Sequence, residues 1–490
     1  MTAALRFGER EITPAEFEDA ARRAAHGLER CGVGEGDVVC IMLRNEPAFL
    51  ETVFGARQLG AYTCPINWHY KAEEAGWMLS DSGAKALVID PQLRAQIEGA
   101  IPPGLAVLVT ENWEHWLASQ SPWSGPARTP RSSMPYTSGT TGRAKGVRRL
   151  PPPPQDAPRI DALAREGFTK VLGIEPGMRA LLPAPLYHSA PNSYALQAML
   201  NGELLVLEPK FDAEQTLALI ERHALTHAYL VPTMYVRLLR LPEAAKQRYG
   251  LSSMRFVAST GSPCPAEVKR AMIDWWGPVF YESYASSETG YITVISSQES
   301  LRKPGSAGRA FGGALLKIVD SDGRELPAGE VGLIYARQPA YPDFTYNNNP
   351  EARRAIERDG LWTIGDMGYL DDEGYLYVCD RASDMVISGG VNIYPAEIEA
   401  VLAAMPGVRD CAVFGIPDAE FGEALAAAVQ PEPGATLDAD AVRRFLGGRI
   451  AGYKVPRVIA FHADLPREES GKIFKRRLRA PYWEKSGRRI

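Results

Sequence analysis

The segment 136–146 reads YTSGTTGRAKG and is the most informative stretch of the 490-residue chain. Its three glycines allow backbone N–H groups to turn toward an anion without a clash from a Cβ atom. Four serine and threonine hydroxyls add hydrogen-bond donors, and Lys145 adds a positive charge. The segment has what a triphosphate needs and little that a hydrophobic core needs, so it predicts a phosphate-binding loop. The alternative is a flexible polar loop.

The segment does not match the phosphate loop of P-loop nucleotide hydrolases. That loop requires the pattern GxxxxGK[ST]. Starting from Gly139, the second glycine would fall on Ala144, and Lys145 is followed by Gly146 rather than by Ser or Thr. The P-loop motif is therefore excluded.

Around this segment, short apolar runs alternate with amphipathic helix patterns. Thr13 predicts a helix N-cap, Glu16 completes a capping box, and apolar residues at helical spacing follow as far as Cys31. The run 38–43 is too short for a helix and is bounded by turn residues, which is typical of a buried strand. Further strands are expected at 84–89, 105–110, 203–207, 227–231, 255–259 and 279–282, and further helices at 47–60, 73–80, 212–223 and 265–276. This alternation predicts an α/β fold, with a large N-terminal domain of parallel-rich sheets that are flanked by helices.

The pattern changes near residue 313, where two β-hairpins with turns at 321–323 and 371–374 predict a β-rich subdomain. A small α+β unit follows. Its expected elements are a helix at 395–404, a strand at 410–414 and a helix at 439–448. We therefore expect an N-terminal domain over residues 1–382 and a small C-terminal domain over residues 383–490.

The composition is that of a soluble globular protein, with 45% apolar and 23% charged residues. A net charge of −5 argues against general nucleic-acid binding. The six cysteines include no CxxC pair and lie mostly in apolar runs, so buried free thiols are expected rather than a disulfide framework or a zinc site. The charged start and the lack of a long apolar run predict a cytoplasmic protein without a signal peptide or an integral membrane segment.

A second segment with functional side chains is 284–289, which reads YASSET. It follows a predicted strand, and open α/β sheets bind ligands at the carboxyl ends of their strands. The ring of Tyr284 can stack on a base, Ser287 can hold a phosphate oxygen, and Glu288 can bind Mg²⁺. The alternative is a polar turn with a buried tyrosine.

Two later segments also carry suitable groups. In WTIGD, over 362–366, Asp366 can accept hydrogen bonds from two ribose hydroxyls with Arg381 as support, although a simple hairpin salt bridge would have the same residues. The segment 465–476 reads LPREESGKIFKR and contains Lys472. By composition alone it is typical of a solvated or anion-attracting surface.

Together, these four segments resemble the motifs of the adenylate-forming superfamily, in the same order and spread. That superfamily includes acyl-CoA synthetases, aryl-CoA ligases, peptide-synthetase adenylation domains and beetle luciferases. The resemblance covers essentially the whole chain and is clearest from residue 36 onward. Two positions depart from the pattern: the family usually has threonine where Ile364 stands, and often lysine or aspartate where Ser383 stands.

The resemblance implies roles for individual residues. Lys472 and Glu288 are implied to be catalytic, and Glu288 and Thr141 to face magnesium. Residues implied to bind ATP or AMP are Thr137, Ser138, Gly139, Thr140, Thr141, Gly142, Lys145, Thr260, Gly261, Tyr284 (adenine), Ser287 (α-phosphate), Asp366 and Arg381. The acid is implied to contact His188, Gly261 and Ser262, and coenzyme A to contact Ser388, Gly389 and Gly390.

The implied reaction is that of an ATP-dependent carboxylic acid–CoA ligase, with ATP and coenzyme A as co-substrates and Mg²⁺ as cofactor. A carboxylate attacks the α-phosphorus of ATP, pyrophosphate leaves, and the thiol of coenzyme A then displaces AMP from the acyl-adenylate. Lys472 must reach the nucleotide in the first half, whereas the thiol must reach the acyl carbon in the second. The resemblance therefore implies a mobile C-terminal domain that swings about a hinge at Ser383.

Two other functions stay open. One is a stand-alone adenylating enzyme that delivers the acyl group to a carrier protein, and the other is a catalytically weak nucleotide-binding relative. The intact set of Glu288, Asp366, Arg381 and Lys472 argues against the weak relative. Aromatic, alicyclic and medium-to-long-chain acids all fit the expected pocket, and a homodimer stays open.

Overall fold

The computed structural model describes residues 1–126, 128–137, 143–389, 391–418, 420–467 and 473–484. Its strands, in chain order, are β1 (Ala4–Phe7), β2 (Arg10–Ile12), β3 (Val38–Met42), β4 (Tyr62–Pro65), β5 (Ala86–Ile89), β6 (Ala106–Val109), β7 (Tyr136–Thr137), β8 (Lys145–Arg149), β9 (Arg179–Leu182), β10 (Leu204–Leu207), β11 (His227–Tyr229), β12 (Phe256–Ser259), β13 (Phe280–Glu282), β14 (Ala285–Ser286), β15 (Gly290–Tyr291), β16 (Thr293–Ser296), β17 (Gly308–Ala310), β18 (Leu315–Val319), β19 (Gly332–Arg337), β20 (Phe344–Tyr346), β21 (Glu357–Arg358), β22 (Leu361–Trp362), β23 (Asp366–Leu370), β24 (Tyr375–Arg381), β25 (Val386–Ser388), β26 (Val391–Ile393), β27 (Val408–Asp418), β28 (Gly422–Pro431) and β29 (Val458–Phe461). Its α-helices are α1 (Pro14–Arg30), α2 (Pro47–Gln58), α3 (Ala72–Ser82), α4 (Pro91–Ile97), α5 (Trp113–Ala118), α6 (Ala157–Leu172), α7 (Ser189–Asn201), α8 (Ala213–Arg222), α9 (Pro232–Leu239), α10 (Glu243–Lys246), α11 (Ala266–Trp276), α12 (Ser297–Arg302), α13 (Pro350–Ala355), α14 (Pro395–Ala403), α15 (Ala439–Gly447) and α16 (Lys475–Glu484).

The chain divides into two compact units, each built from two pieces of sequence. The first unit comprises Met1–Leu316 and Ala336–Trp362, and the second comprises Lys317–Tyr335 and Thr363–Ile490. Much of the expected β-rich subdomain thus packs with the C-terminal part of the chain. The bounds of these compact units do not coincide with the predicted domain boundary between residues 382 and 383. That boundary stays a prediction.

The main sheet of the first unit is mostly parallel. Its strands lie in the order β2-β1-β10-β9-β11-β12-β13-β16-β17, and β1, β10, β9, β11, β12 and β13 run parallel to one another. The outer strands β2, β16 and β17 pair antiparallel. Because parallel strands end at the same edge, the residues that follow β11, β12 and β13 lie side by side.

A second, fully parallel sheet in this unit has the order β4-β3-β5-β6. All five residues of β3 are buried, as expected for a strand covered on both faces. Helix α1 precedes this sheet and begins at the predicted capping box, in which Thr13 accepts a hydrogen bond from the Glu16 N–H and the Glu16 carboxylate accepts one from the Thr13 N–H.

The remaining small sheets carry the functional segments. In the first unit, β20, β8 and β7 form a three-stranded antiparallel sheet. In the second unit, β23 and β24 form the predicted antiparallel hairpin with a turn over 371–374. A separate sheet in the order β26-β25-β28-β27, with β29 beside β28, packs against α14 and α15 around buried apolar side chains.

The predicted fold class is confirmed, and the predicted strands and helices lie within about two residues of their observed bounds, except that the strand predicted at 410–414 extends to Asp418 in β27. The sequence pattern did not yield α6 or α7, because α6 follows a run of prolines and α7 contains Pro191 and no charged residue. All six cysteines are unbonded thiols, four of them buried. In the described part of the chain, no helix combines the length and apolar character needed to cross a membrane.

Candidate active site

The predicted phosphate-binding segment includes β7 and β8, which pair antiparallel with Tyr136 opposite Gly146 and Thr137 opposite Lys145. A Cβ atom on Gly146 would come within 2.8 Å of the Tyr136 ring, so this strand position requires glycine. The Tyr136 hydroxyl donates to the Asp81 carboxylate at 2.6 Å, which ties the hairpin to α3. The predicted nucleotide ligands Ser138, Gly139, Thr140, Thr141 and Gly142 lie outside the described residues.

Glu288 is the buried carboxylate of the site, with 4% of its surface exposed. Its Oε1 atom accepts a hydrogen bond from the Thr137 hydroxyl at 3.0 Å. The same atom accepts a second from the Tyr346 hydroxyl, also at 3.0 Å. The structure thus brings together two predicted residues, Thr137 and Glu288, that are 151 positions apart in the sequence.

Lys145, another predicted residue of the phosphate-binding segment, lies beside Tyr346, which is the hydrogen-bond donor to Glu288. Its ammonium group stands 5.3 Å from the centre of the Tyr346 ring, within the range of a cation–π contact. Burial and the nearby charge of Glu288 raise the pKa of Tyr346, so its phenol stays protonated and remains a donor at neutral pH. Lys145, Tyr346 and Glu288 therefore form one connected group.

The 284–289 segment follows β13 and lies at the carboxyl edge of the main sheet. The Ser287 hydroxyl lies 3.2 Å from the Ser189 hydroxyl at the start of α7. The main chain of Tyr284 is fixed by hydrogen bonds with the Thr293 hydroxyl and the Ile292 N–H. These contacts hold the segment in place while leaving its side chains at the sheet edge.

The predicted floor of the acid pocket is joined to this segment. Thr260 follows β12 and donates from its hydroxyl to the Ser283 carbonyl at 2.9 Å, next to Tyr284. Gly261 has a φ of +95° and no atom lies within 4 Å of a Cβ built on it, so its backbone faces open space, and the Ser262 side chain is exposed. His188 is the N-cap residue of α7, and its ring lies 4.4 Å from that of Tyr187.

In the second unit, the predicted pair of Asp366 and Arg381 is present. The two residues are register partners on β23 and β24, and their side chains are joined at 3.2 Å. The Asp366 side chain is 9% exposed whereas that of Arg381 is 36% exposed. The guanidinium therefore screens the carboxylate, while both groups keep atoms at the surface.

The predicted hinge residue Ser383 lies in the turn after β24. The Asp384 N–H donates to the Arg381 carbonyl at 2.9 Å, and the Ala382 N–H donates to the Gly365 carbonyl at 2.7 Å. Arg479 of α16 donates to the Ser383 carbonyl at 3.1 Å and lies 3.6 Å from the Asp384 carboxylate. The C-terminal helix is thus attached to the hinge turn within the same unit.

The predicted CoA-binding segment follows β25. Gly389 has a φ of +58°, and its N–H donates to the Phe421 carbonyl at 2.9 Å. A Cβ atom there would meet the Phe421 ring at 3.0 Å, so Ser388 is followed by a residue that must be small. The predicted residues Gly390 and Lys472 lie outside the described residues.

Two residues of the site were not predicted from the sequence. One is Tyr346, and the other is Arg149, whose guanidinium donates to the carbonyls of Ser287 at 2.6 Å and Glu288 at 3.0 Å. The available signal was an arginine within a β-strand directly after the phosphate-binding segment. The role of Arg149 in the site depends on its hydrogen bond to Ser287, which is 138 positions away, and no local sequence pattern reveals such a contact.

The oxygen atoms around Glu288 suit a magnesium ion. Mg²⁺ is bound in nucleotide sites by one or two carboxylates together with substrate phosphates and water. Glu288 supplies one carboxylate beside the Thr137 hydroxyl, and its Oε1 is already oriented by two donors. Within the described ranges, no group of three or more His, Cys, Asp or Glu side chains could hold a metal unaided. A metal that arrives with the nucleotide fits this donor set.

Comparison with known proteins assigns the chain to a family. A family model described as AMP-binding enzyme matches residues 2–341, and a model described as AMP-binding enzyme C-terminal domain matches residues 397–472. The chain belongs to the AMP-binding enzyme family. The predicted resemblance to the adenylate-forming superfamily is thereby confirmed.

Individual members of the AMP-binding enzyme family match along almost the whole chain. Feruloyl-CoA synthase from an Amycolatopsis species is 34% identical over 478 residues, which cover 97% of this chain and 95% of that protein. Indoleacetate–CoA ligase from Aromatoleum aromaticum is 35% identical over 489 residues, covering 96% and 93%. The crystal structure of ATP-bound MatB from Rhodopseudomonas palustris is similar with a TM-score of 0.87 at 30% identity, covering 98% and 96%.

These matches confirm the predicted activity class. This AMP-binding enzyme is an ATP-dependent carboxylic acid–CoA ligase, which forms AMP as it joins an acid to a thiol. The alternatives of a weak nucleotide-binding relative and of a carrier-protein acylating enzyme are not favoured.

Proposed function

We propose that this AMP-binding enzyme activates a ring-bearing carboxylic acid as its acyl-adenylate and transfers the acyl group to coenzyme A. The observation that carries the proposal is the hydrogen bond between Thr137, at the entrance to the phosphate-binding loop, and Glu288, in the segment after β13. It joins the two segments that a Mg²⁺-bound triphosphate would need at one place. The names of the two ring-acid ligases support an aromatic acid as the first class to test.

In the first half-reaction, the carboxylate oxygen forms a bond to the α-phosphorus of ATP, and the bond to pyrophosphate breaks. The protein must mainly position the two reactants and neutralise the negative charge that spreads over the phosphates. In this proposal Lys145 and Lys472 supply positive charge, Ser287 holds an α-phosphate oxygen, and Glu288 with Thr141 holds the metal. When bound, Mg²⁺ would screen the charge of the phosphates.

The nucleoside would be held by the remaining predicted residues. Tyr284 would stack on the adenine beside Thr260 and Gly261, which share its sheet edge through the bond to Ser283. Asp366 would accept hydrogen bonds from the ribose, and Arg381 would hold its carboxylate in position. His188, Gly261 and Ser262 would border the acid.

In the second half-reaction, the CoA thiolate attacks the acyl carbon and the bond to AMP breaks. We propose that residues 383–490 rotate about Ser383 between the halves, so that Ser388, Gly389 and Gly390 replace Lys472 near the nucleotide. The cytoplasm as the compartment and a homodimer as the assembly also stay predictions.

The proposal is tested by measuring pyrophosphate release and thioester formation with a panel of acids. Ferulate, indoleacetate and other ring-bearing acids are compared with alkyl acids of increasing length, each with and without coenzyme A. Ring-bearing acids are expected to give both products with the highest kcat/KM. Pyrophosphate release with no thioester would favour another acceptor, and a preference for alkyl acids would contradict the proposed substrate class.

Lys472→Ala separates the two halves of the mechanism. Loss of this ammonium group should slow adenylate formation by about a hundredfold or more, because it removes charge stabilisation present only in the first transition state. Thioester formation from supplied acyl-adenylate should change by less than about threefold, since that step does not use the group. An equal loss in both steps would contradict the assigned role.

A further inference from the structure

Arg149, the last residue of β8, directs its guanidinium group at the backbone rather than at a carboxylate. It donates hydrogen bonds to the carbonyls of Ser287 at 2.6 Å, Glu288 at 3.0 Å and Pro342 at 2.8 Å. Among the described residues these three carbonyls are its hydrogen-bond acceptors. A planar fork of five N–H donors is suited to this task in a way that a lysine is not.

The guanidinium group is also confined from the sides. It lies 4.8 Å from the centre of the Tyr341 ring and 5.9 Å from that of Phe344. Phe344 is the register partner of Arg149 in the pairing of β20 with β8. Burial lowers the pKa of Arg149 to about 10, so the group stays charged at neutral pH. A charged group in such surroundings is costly unless its donors are used.

The position of Arg149 in the chain connects the two halves of the phosphate site. The strand β8 begins at Lys145 and pairs with β7, so Arg149 is rigidly joined to the phosphate-binding hairpin. Two of its three acceptors belong to Ser287 and Glu288, whose side chains are the proposed α-phosphate and metal ligands. The strand that β8 pairs with on its other side, β20, carries Tyr346, which donates to Glu288.

We propose that Arg149 is a positioning residue that fixes the backbone of Ser287 and Glu288 relative to the phosphate-binding hairpin, and so sets the affinity for the metal–nucleotide complex. This inference rests on the proposed function, because it assumes that Glu288 faces the metal. Arg149 touches neither metal nor nucleotide in this proposal and acts only through the segment that it holds.

The neighbouring residue Arg148 provides a matched control. It has the same charge and lies on the same strand, but its guanidinium donates to the Gly36 carbonyl at 2.8 Å and to the Asn347 side-chain oxygen at 3.4 Å, and it stacks 4.6 Å from the Tyr62 ring. It makes no contact with the 284–289 segment among the described residues. Removal of either arginine deletes one positive charge, and only Arg149 should affect the metal–nucleotide site.

The experiment compares wild type, Arg149→Met, Arg149→Lys, Arg148→Met and Glu288→Gln. Binding of Mn²⁺ is followed by electron paramagnetic resonance in the presence of an ATP analogue with a methylene group between the α- and β-phosphates. Arg149→Met should weaken Mn²⁺ binding by about tenfold, the size expected when one or two charged hydrogen bonds are lost. Arg149→Lys should lose about threefold, and Arg148→Met should stay within twofold of wild type.

A second readout separates positioning from general destabilisation. In pyrophosphate–ATP exchange, raising the Mg²⁺ concentration should restore most of the rate of Arg149→Met, because weak metal binding is overcome by mass action. An unfolding defect would instead lower the midpoint of thermal unfolding measured without metal and nucleotide, where no ligand stabilises the folded state. If Arg149→Met does not fold, the smaller change Arg149→Lys decides the question with the same two measurements.

The outcomes distinguish this inference from the function on which it rests. Wild-type Mn²⁺ affinity in Arg149→Lys and Arg149→Met, together with a clear loss in Glu288→Gln, would overturn the positioning role alone. Unchanged affinity in Glu288→Gln would overturn the proposed metal ligand itself. An equal loss in Arg148→Met and Arg149→Met would show that the effect is one of total charge, and it would also overturn the proposal.

Discussion

Glu51 is a carboxyl group that the fold keeps away from water. It lies on α2, is 5% exposed, and accepts a hydrogen bond from the Trp113 indole N–H at 2.5 Å. Burial raises its pKa from 4.5 to about 6. The folded state therefore holds this proton more tightly than the unfolded state does, and stability falls as the pH rises from about 4.5 through about 6.

Glu51→Gln removes this pH dependence while keeping an oxygen that can accept the indole hydrogen bond. At pH 8 the variant should be stabilised by up to about 2 kcal/mol, because the native protein there carries a buried negative charge. At pH 4.5 the two proteins should unfold at the same temperature. The midpoint of thermal unfolding, measured across this range, checks the expectation, and a constant difference at every pH would contradict it.

At the scale of single residues, the sequence predicted the chemistry of the site better than its contacts. The functional groups of four residues predict their place in the site. The structure joins two of them, Thr137 and Glu288, by a hydrogen bond. It joins the other two, Asp366 and Arg381, by an ion pair. The sequence does not single out Tyr346, because it stands between Thr345 and Asn347 in no recognisable motif. Its hydroxyl gains its function only from a carboxylate 58 positions away.

Among the elements, the β7–β8 hairpin depends most visibly on a single position. Gly146→Ala would place a methyl group within 2.8 Å of the Tyr136 ring and push that ring from its hydrogen bond with Asp81. We expect the KM for ATP to rise by about fivefold or more, since Thr137 and Lys145 would be positioned less firmly on a displaced hairpin and would cost more to order on binding.

Gly99→Ala is the control for this substitution, because nothing lies within 4 Å of a Cβ atom at that position. It should leave KM and the unfolding midpoint unchanged. Initial rates of pyrophosphate–ATP exchange at varied ATP concentration give the comparison. Similar KM values for the two alanine variants would show that the close packing at Gly146 is unimportant for nucleotide binding.

Helices and strands with a strong periodic pattern are predictable, because burial of one face places apolar residues at regular spacing in the local sequence. Helix α1 shows this most clearly, with its cap at Thr13 and its apolar face reaching the core. The strand β8 did not show such a mark: it reads KGVRR, and its arginines are satisfied by carbonyls and aromatic rings from distant segments. Tertiary contacts of that kind leave no periodic pattern.

For the molecule as a whole, the proposed rotation makes a prediction about Ser383. Ser383→Pro fixes φ near −65° and restricts Ala382, so the hinge should lose its ability to reorient. One of the two half-reactions should then be about tenfold or more slower than the other. The slowed half-reaction is the one that needs the orientation that the proline excludes. Stopped-flow assays of each half-reaction measure the two rates separately, and Ser383→Ala serves as the control. Two half-reactions slowed to the same extent would contradict a hinge at this position.

The division into compact units could not have been predicted from the sequence. Residues Lys317–Tyr335 belong with the C-terminal part of the chain although Ala336–Trp362, which directly follow, belong with the first unit. The strand β19 contains the crossing point: its residues Gly332 and Leu333 pair with β23 in the second unit, and its residue Ala336 pairs with β22 in the first. A change of composition along the sequence can mark a boundary between units only when each unit is one continuous piece of the chain. Here each unit is built from two pieces.

The buried thiols give these two units separate chemical reporters. Cys40 and Cys64 are register partners on β3 and β4, and burial raises the pKa of Cys64, so neither sulfur is prepared to react with an alkylating reagent in the native state. Cys411, in β27, is shielded in the same way within the second unit. Each sulfur becomes modifiable only when its own sheet opens. Peptide mass spectrometry of timed maleimide reactions would therefore record the opening of the two units independently, with no probe added to the protein.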